Sequence, residues 1–525
     1  CGSSSPSCPD RPGPQSPGVS TAPSASDSGA TPGAPALHDG HIVGRGMLAL
    51  VLSQLITTPV SMTVQALIGR KLGAGPFGAI YFATSVLGVW YLFVEWGGHA
   101  QVAAAVARDR QAGARVFASG MLLRLLFAAV VLAVIPAFGR WMDYDQAVQL
   151  ALAMVSMKLA LQGLGALCLA VIRGYEKVHW QAGANIFGNL TEAALVVGVL
   201  MAGGDLGAVL MAQVVAAVIT LAAQVGLVTR LNLGSWRPDP ATAWSILQGG
   251  FSFLVLDMVL RLQPYIDASY LEHLAPPEAM GWHSAAARIS GVLIFPALTL
   301  NSALYPTLAR LWVSDRATYD KLVRLGLRTV TILGVLAGVG TALFAPWAVG
   351  WIYGSAQFAP AGISLSVMSV FIVLVYGSIV LGPAIAAAGR QWSWCAAQTL
   401  CLVVSLALDP ILIPWAQRTY GNGSLGVSIS IGVAEIAMVL FGLVLLPRGA
   451  LDLSTTRTAL HAGLAAAVAV AAGVLLYRLP LVAIVAMTVA YFGVLRWRRE
   501  LDADLLMLAP PWLARFVQPW LGLTH

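Results

Sequence analysis

Charge is what this chain has least of. Only 10% of its 525 residues are Asp, Glu, Lys or Arg, against roughly 25% in a soluble domain, which excludes an ordinary water-solvated fold. Its five cysteines, Cys1, Cys8, Cys168, Cys395 and Cys401, form no C-x-x-C and no cluster with histidine, so no metal site or disulfide framework is expected. Cys168, Cys395 and Cys401 sit in apolar runs and read as small buried hydrophobes. No Walker A sequence is present, so direct use of ATP has no support. No nucleophile elbow lies between a soluble strand and a helix, and no other catalytic constellation is visible, so the chain does not read as an enzyme. The formal charge of +7 comes without a basic stripe interleaved with aromatics, so nucleic acid is not an expected partner.

What fills the chain instead is apolar sequence. It is 58% hydrophobic with a mean hydropathy of +0.78. Runs long enough to cross a bilayer, about 20 residues each, recur from Met47 to Leu495. They predict an all-α polytopic membrane protein with about fourteen transmembrane helices. Residues 1–44 are rich in Ser, Pro and Gly and are expected to stay disordered. The opening Cys1-Gly2-Ser3-Ser4-Ser5 resembles the start of a mature bacterial lipoprotein; the loop charges below favour a truncated start instead. In the tail, 496–525, Trp512, Phe516 and Trp520 near Arg515 suggest a segment lying on the membrane surface.

Loop charges set the orientation. Arg108, Arg110 and Arg115 follow the second span, Arg173 and Lys177 the fourth, and Arg310, Arg316, Lys321 and Arg324 the eighth. The odd-numbered loops carry few basic residues apart from Arg70 and Lys71. Basic loops face the cytoplasm, so both termini are expected there.

The chain also repeats itself. Asp205-Leu206-Gly207 opens the sixth span and Ser424-Leu425-Gly426 the twelfth. Phe77-Gly78 begins the second and Met280-Gly281 the eighth, while Pro59 breaks the first and Pro264 the seventh. Arg173-Gly174-Tyr175 and Gly389-Arg390-Gln391 follow the fourth and tenth. A nearly constant offset points to duplication of a six-helix unit with both copies in one orientation. The expected divisions are a lobe over 45–230, a linker over 231–243, a second lobe over 244–447 and an added helix pair over 448–495. Such a duplication implies a central cavity between the lobes.

The stretch Phe251 to Arg310 organises this reading. Its two spans hold Asp257, Arg261 and Arg288, and Pro264 and Pro296 are expected to interrupt them. Arg124 and Lys158 lie in earlier spans, and Glu192, Asp409 and Glu435 are further acids inside apolar runs. Ionised groups at that depth normally face a wet cavity or a partner. Asp257 and Arg261 are spaced to pair on one helix face. The favoured reading of the acids is charge pairing with the basic residues; the alternative is that they carry Na⁺ or H⁺. Asp267 and Glu95 are expected near solvent, as are His99 and His283. Pro59 and Pro264 are candidate hinges.

Several motifs carry a family likeness. Arg70-Lys71-Leu72-Gly73 with Phe77-Gly78 and Tyr81 resembles the pattern after the first helix of bacterial oligosaccharide flippases. Those proteins form the polysaccharide-transporter branch of the multidrug/oligosaccharidyl-lipid/polysaccharide (MOP) exporter superfamily. Glu95-Trp96-Gly97 leading to Ala107-Arg108 is similar to the end of their helix two. Gly281 to Ala286 with Arg288, then Tyr305-Pro306, resembles their helix eight. Tyr353-Gly354 and Ala387 to Arg390 resemble their helices nine and ten. The likeness runs from about Met47 to Arg448.

The resemblance implies a flippase that moves a lipid-linked oligosaccharide headgroup-first by alternating access, with no cofactor beyond a coupling ion. The implied partners are the lipid-linked glycan, membrane lipid, and a polysaccharide polymerase and glycosyltransferases that work alongside. An anionic headgroup needs a cationic cavity, and Arg suits phosphate through its planar fork. Arg288 is then the leading phosphate ligand, with Arg261, Lys158 and Arg124 behind it. Two alternatives stand beside this reading. A multidrug exporter of the same superfamily should have a more apolar, acidic cavity, and a membrane-embedded glycan ligase or polymerase should carry a large outer loop.

Overall fold

A computed structural model describes residues 36–96, 98–354 and 356–501. The tail 1–35, most of the C-terminal tail (502–525, with Trp512, Arg515, Phe516 and Trp520), Gly97 and Ser355 lie outside the described residues. Residues 36–45 belong to a first unit and are helical where described. The second unit begins at Gly46 and contains the helical bundle.

Every described element but one 3₁₀ turn, Ala356–Phe358, is α-helical. In order they are α1 (Ala36–Leu72), α2 (Ala74–Glu95), α3 (Gly98–Arg108), α4 (Gly113–Trp141), α5 (Gln146–Gly174), α6 (Val178–Met201), α7 (Leu206–Thr229) and α8 (Pro240–Leu274). Then come α9 (Pro277–Ser314), α10 (Arg316–Tyr353), α11 (Ala359–Ala387), α12 (Gln391–Tyr420), α13 (Gly423–Leu445), α14 (Leu453–Leu475) and α15 (Pro480–Trp497). Among the described residues, 11 helices are long and apolar enough to cross a membrane. The other three expected spans fall on α1, α8 and α9, which run for 37, 35 and 38 residues. Many large apolar side chains, such as Leu125, Leu126 and Val130 on α4, are exposed, as befits a surface solvated by lipid.

Local chemistry sets the ends. Asp205, Asp239, Asp315 and Asp452 each accept a backbone N–H at the start of α7, α8, α10 and α14, satisfying donors that the first helical turn leaves open. Hydrogen bonds from Thr242 hold the Asp239 carboxyl below the usual range, and bonds from Thr318 do the same for Asp315. At the other end, α10 and α12 stop at Gly354 and Gly421, with φ of 68° and 64°, left-handed positions where glycine carries no Cβ penalty.

Three expectations change. Pro59, Pro264 and Pro296 do not break their helices: each lies inside a continuous α1, α8 or α9, because a helix in a packed bundle can lose one N–H bond and still close around it. The basic segment after the eighth span is not a loop either. α9 runs to Ser314 and α10 starts at Arg316, so Arg310, Arg316, Lys321 and Arg324 are helical. Finally, Gly98–Arg108 forms a helix of 11 residues, too short to span, in place of the simple connection expected between two spans.

Helix pairing recurs along the chain. α5 packs on α2, α4 and α7, and α6 packs on α7. In the same order, α11 packs on α9, α10 and α13, and α12 packs on α13. The two sets meet where α2 crosses α8 and α9. There the backbones nearly touch: a Cβ on Gly78 would lie 2.7 Å from the Gly281 nitrogen, and one on Gly281 would collide with the Ala74 carbonyl. The α14–α15 hairpin leans on α10.

Candidate functional site

Arg288 projects from α9 into a hollow of about 380 Å³. The facing wall is α1, through Gln54, Thr57, Thr58, Ser61 and Gln65, with Asn189 of α6 and Tyr353 of α10 closing the sides. The guanidinium takes one bond to the Ser284 hydroxyl at 3.3 Å and lies 5.4 Å from the centre of the Phe77 ring. An arginine has five N–H donors, so most remain for a guest. The Gln65 side-chain carbonyl oxygen is buried there with no partner.

A second hollow, of about 440 Å³, adjoins the first and shares Gln54, Thr57 and Asn189 with it. It opens among α1, α5, α6 and α7, and its polar lining includes Gln162, Asn185, Thr220 and Gln224. Glu192 reaches its wall. Lys158 does not line it; its ammonium is held by Glu192 at 2.6 Å and by Gln213 at 3.2 Å.

The remaining predicted site residues go elsewhere. Arg124 is buried and donates to the backbone carbonyls of Gly163, at 2.6 Å, and Glu95, at 3.3 Å, so it braces α4 against α5 and α2. The side chains of Asp257 and Arg261, and that of His99, lie outside the described residues. Glu435 accepts a bond from the Ser378 hydroxyl. Asp409 is fully buried, with Ser430 and a second carboxyl against its own. Beside it stands Asp267, which accepts from Ser405 at 3.0 Å. Asp267 and Glu95, expected near solvent, are both buried, as is His283, which packs edge-on against Tyr81 with its Nδ1 unpartnered. Neighbouring helices cover all three, α12 beside Asp267, α4 beside Glu95 and α2 beside His283, which sequence position alone does not reveal.

The motif residues turn out to be a latch. Arg70 donates to the last carbonyls of α10, at Ile352 (2.6 Å) and Trp351. Trp282 donates to the Gln357 carbonyl at 2.6 Å. Phe77, Tyr353 and Phe358 pack ring on ring behind them. A cation at a helix C-terminus is favourable, and here it ties the α1–α2 turn to the α10–α11 turn.

The neutral amides escape a search confined to charge. Gln54, Gln65, Gln162, Asn185, Asn189 and Gln224 all sit inside apolar runs, and polar groups in a membrane helix mark pathways as charges do. That signal is readable in the sequence.

An all-α membrane bundle with paired repeats, latched at one end and hollow between its halves, is the architecture of a MOP-type transporter. The structure is similar to the lipid II flippase MurJ in an inward closed conformation, at a TM-score of 0.72 and 12% identity over 86% of this chain and 99% of that one. It is also similar to an inward-facing multidrug resistance MATE family transporter, at 0.64 and 17% over 76% and 97%. A MOP superfamily transporter from Pyrococcus furiosus matches at 0.54 and 16% over 76% and 94%. These likenesses establish the fold. No curated protein sequence matches the chain. The model of the polysaccharide biosynthesis protein family matches residues 43–312, and the chain belongs to that family.

Proposed function

We propose that this protein is a flippase for a lipid-linked oligosaccharide, a polysaccharide repeat unit or cell-envelope precursor, moved across the bacterial inner membrane by alternating access. The lobes 45–230 and 244–447, joined by 231–243, rock about the α2–α9 crossing, and the pair over 448–495 stands beside them. Both termini face the cytoplasm, where basic residues concentrate. The observation that carries this reading is Arg288, a cation with free donors in a hollow of mixed amide, hydroxyl and apolar lining, walled by helices from both halves. The phosphate of the substrate binds there and its lipid tail stays in the bilayer.

Coupling to Na⁺ or H⁺ is assigned to Asp409 with its neighbour Asp267. Glu192 and Glu435 already have partners, whereas Asp409 is buried with a second carboxyl, Asp267, against it, a costly arrangement unless a cation or proton joins the pair. Pro59 and Pro264, inside continuous helices, are the hinge candidates. Glycosyltransferases and a polymerase are the partners that such a substrate requires.

The test is Arg288→Gln in cells that depend on this protein for surface polysaccharide. Export of lipid-linked glycan should fall at least about tenfold, the worth of one charge-assisted bond, while resistance to cationic drugs stays unchanged. Loss of drug resistance with intact glycan export would instead establish the multidrug alternative.

A further inference from the structure

The larger hollow is not cationic, and that bears on what the substrate is. Resting on the flippase reading, we infer that the site has two compartments: Arg288 meets the phosphate, and the hollow among α5, α6 and α7 takes an uncharged sugar rich in hydroxyl and acetamido groups.

Three observations carry this. First, the hollow is lined by carboxamides without protein partners: among the described residues, the side chains of Gln162, Asn185, Asn189 and Gln224 form no hydrogen bond. A carboxamide offers two donors and a two-lone-pair acceptor, the complement of hydroxyls and acetamido groups. Four such groups turned to one space inside a membrane protein would be costly without a polar guest or water.

Second, the surrounding backbone leaves room for them. A Cβ on Gly165 would collide with the Gln224 carboxamide, and one on Gly188 would lie 2.7 Å from the Thr220 methyl. Small residues stand where larger ones would displace the polar lining. At about 440 Å³ the space falls in the size range of small-molecule sites, about 300–1,000 Å³.

Third, charge selects against acidic sugars. No described lining residue is a cation, and the acid Glu192 stands on the wall. Lys158 is already committed to Glu192 and Gln213. A sugar carboxylate would find no counter-charge there and would face a carboxylate of its own sign. The phosphate, one step along the substrate, lies beyond Gln54, Thr57 and Asn189, the residues common to both hollows.

The experiment uses the full chain in nanodiscs and three soluble probes. They are farnesyl diphosphate, the same diphosphate carrying N-acetylglucosamine, and the same carrying glucuronic acid. The neutral-sugar probe should bind about tenfold tighter than the sugar-free one, the worth of one or two net hydrogen bonds. The glucuronate probe should bind no tighter than the sugar-free one. Gln224→Leu and Asn189→Leu should each erase most of the tenfold gain, and Gly165→Ala should do the same without removing any polar group. Each variant is first checked for a single species by size exclusion. Glucuronate binding as tight as N-acetylglucosamine binding, or a gain that survives all three variants, overturns the two-compartment assignment. Arg288→Gln should weaken all three probes together. If it weakens none while the sugar gain persists, the phosphate role of Arg288 falls and the sugar compartment stands. If no probe binds the unaltered protein, both readings fall.

Discussion

Between α5, α6 and α7 the first half keeps a hollow of about 440 Å³ lined by amides and hydroxyls. Between the corresponding α11, α12 and α13, the second half places the Phe371 ring directly against Gly432 and ties side chains to one another, Ser364 to Ser424 and Ser405 to Asp267. The helix pairing is shared, and the interior is not. In the first half polar groups point into space, as a guest-binding region requires. In the second half these side chains are tied to one another instead. A shared helix pairing with one open and one filled interior teaches that the two halves differ in what they can hold. On the flippase reading, the first takes the headgroup. On the same reading, the second supplies the Arg288 wall and the buried Asp409–Asp267 pair.

The contrast breaks most severely where the halves touch. Gly78 and Gly281 occupy equivalent places, and each approaches the opposite helix backbone. Gly281→Val inserts atoms where the Ala74 carbonyl already sits. The expected cost is at least about 3 kcal/mol, the upper end of ordinary overpacking, seen as a lower melting temperature in detergent and as lost export. Gly183→Ala on α6, where an added Cβ meets nothing within 4 Å, should be neutral or gain up to about 1 kcal/mol. A Gly281→Val protein that melts and transports like the parent would show that this crossing opens freely, with no close seam to protect.

How much of this is legible from the sequence depends on which interactions are local. The spans are legible, since apolar length is a property of the run itself. So are the paired positions Phe77-Gly78 and Met280-Gly281, although their reason, a backbone crossing, needs the fold. The prolines mislead, because Pro264 and Pro296 weaken a helix locally while the surrounding packing keeps it whole. Among the candidate ligands, Arg288 faces a hollow, but Lys158 and Arg124 are claimed by Glu192 and by backbone carbonyls from distant helices. A basic residue in a span signals a need for a partner; only the tertiary structure says whether that partner is protein or substrate. Attention to charge also hides the amides, whose spacing on α6, Asn185 and Asn189, puts both on one face.

Lys158 allows a finer comparison. Its pair with Glu192 is partly reached by water, at 15% and 25% side-chain exposure, so breaking it should cost less than the 3–5 kcal/mol of a fully buried pair, about 1–3 kcal/mol. Lys158→Met should therefore destabilise by that amount, and adding Glu192→Gln should recover most of it. Glu435 in the second half has a hydroxyl partner instead, so Ser378→Ala should cost about 1 kcal/mol. Chemical denaturation of the purified protein separates these. A Lys158→Met variant that keeps full stability but loses glycan binding would return Lys158 to the list of substrate ligands.

The smallest effect lies outside the repeat, in the α14–α15 hairpin. Where the halves meet backbone to backbone, this hairpin is held by polar ties: Arg324 of α10 pairs with Asp452 at 3.5 Å, Tyr491 donates to the Ile332 carbonyl at 2.9 Å, and a third tie centres on a carboxylate just past α15. Glu500 accepts from Thr458 at 2.6 Å, meets His461 Nδ1 at 2.7 Å, and pairs with Arg457 at 3.3 Å and with Arg328 of α10 at 3.4 Å. Burial pushes its carboxyl up, but the bonds from Thr458 and His461 and the Arg328 charge outweigh that and hold it below the usual range. A carboxyl lowered by folding stabilises fully above its unfolded pKa, about 4.3, and loses that contribution as pH falls through the lower folded value. Melting temperature should therefore drop in acid below about pH 4.3. Glu500→Gln should lower it at neutral pH and flatten the acid slope, since the amide cannot titrate. The α2–α9 seam contains no such group at its glycine contact, so a Gly78→Ala protein should keep the parent's acid slope while melting lower throughout. An unchanged slope in Glu500→Gln would mean that the acid response comes from the other carboxyl held low at this hairpin, Asp452 with its bonds from Ser454 and Arg324 beside it, and not from Glu500.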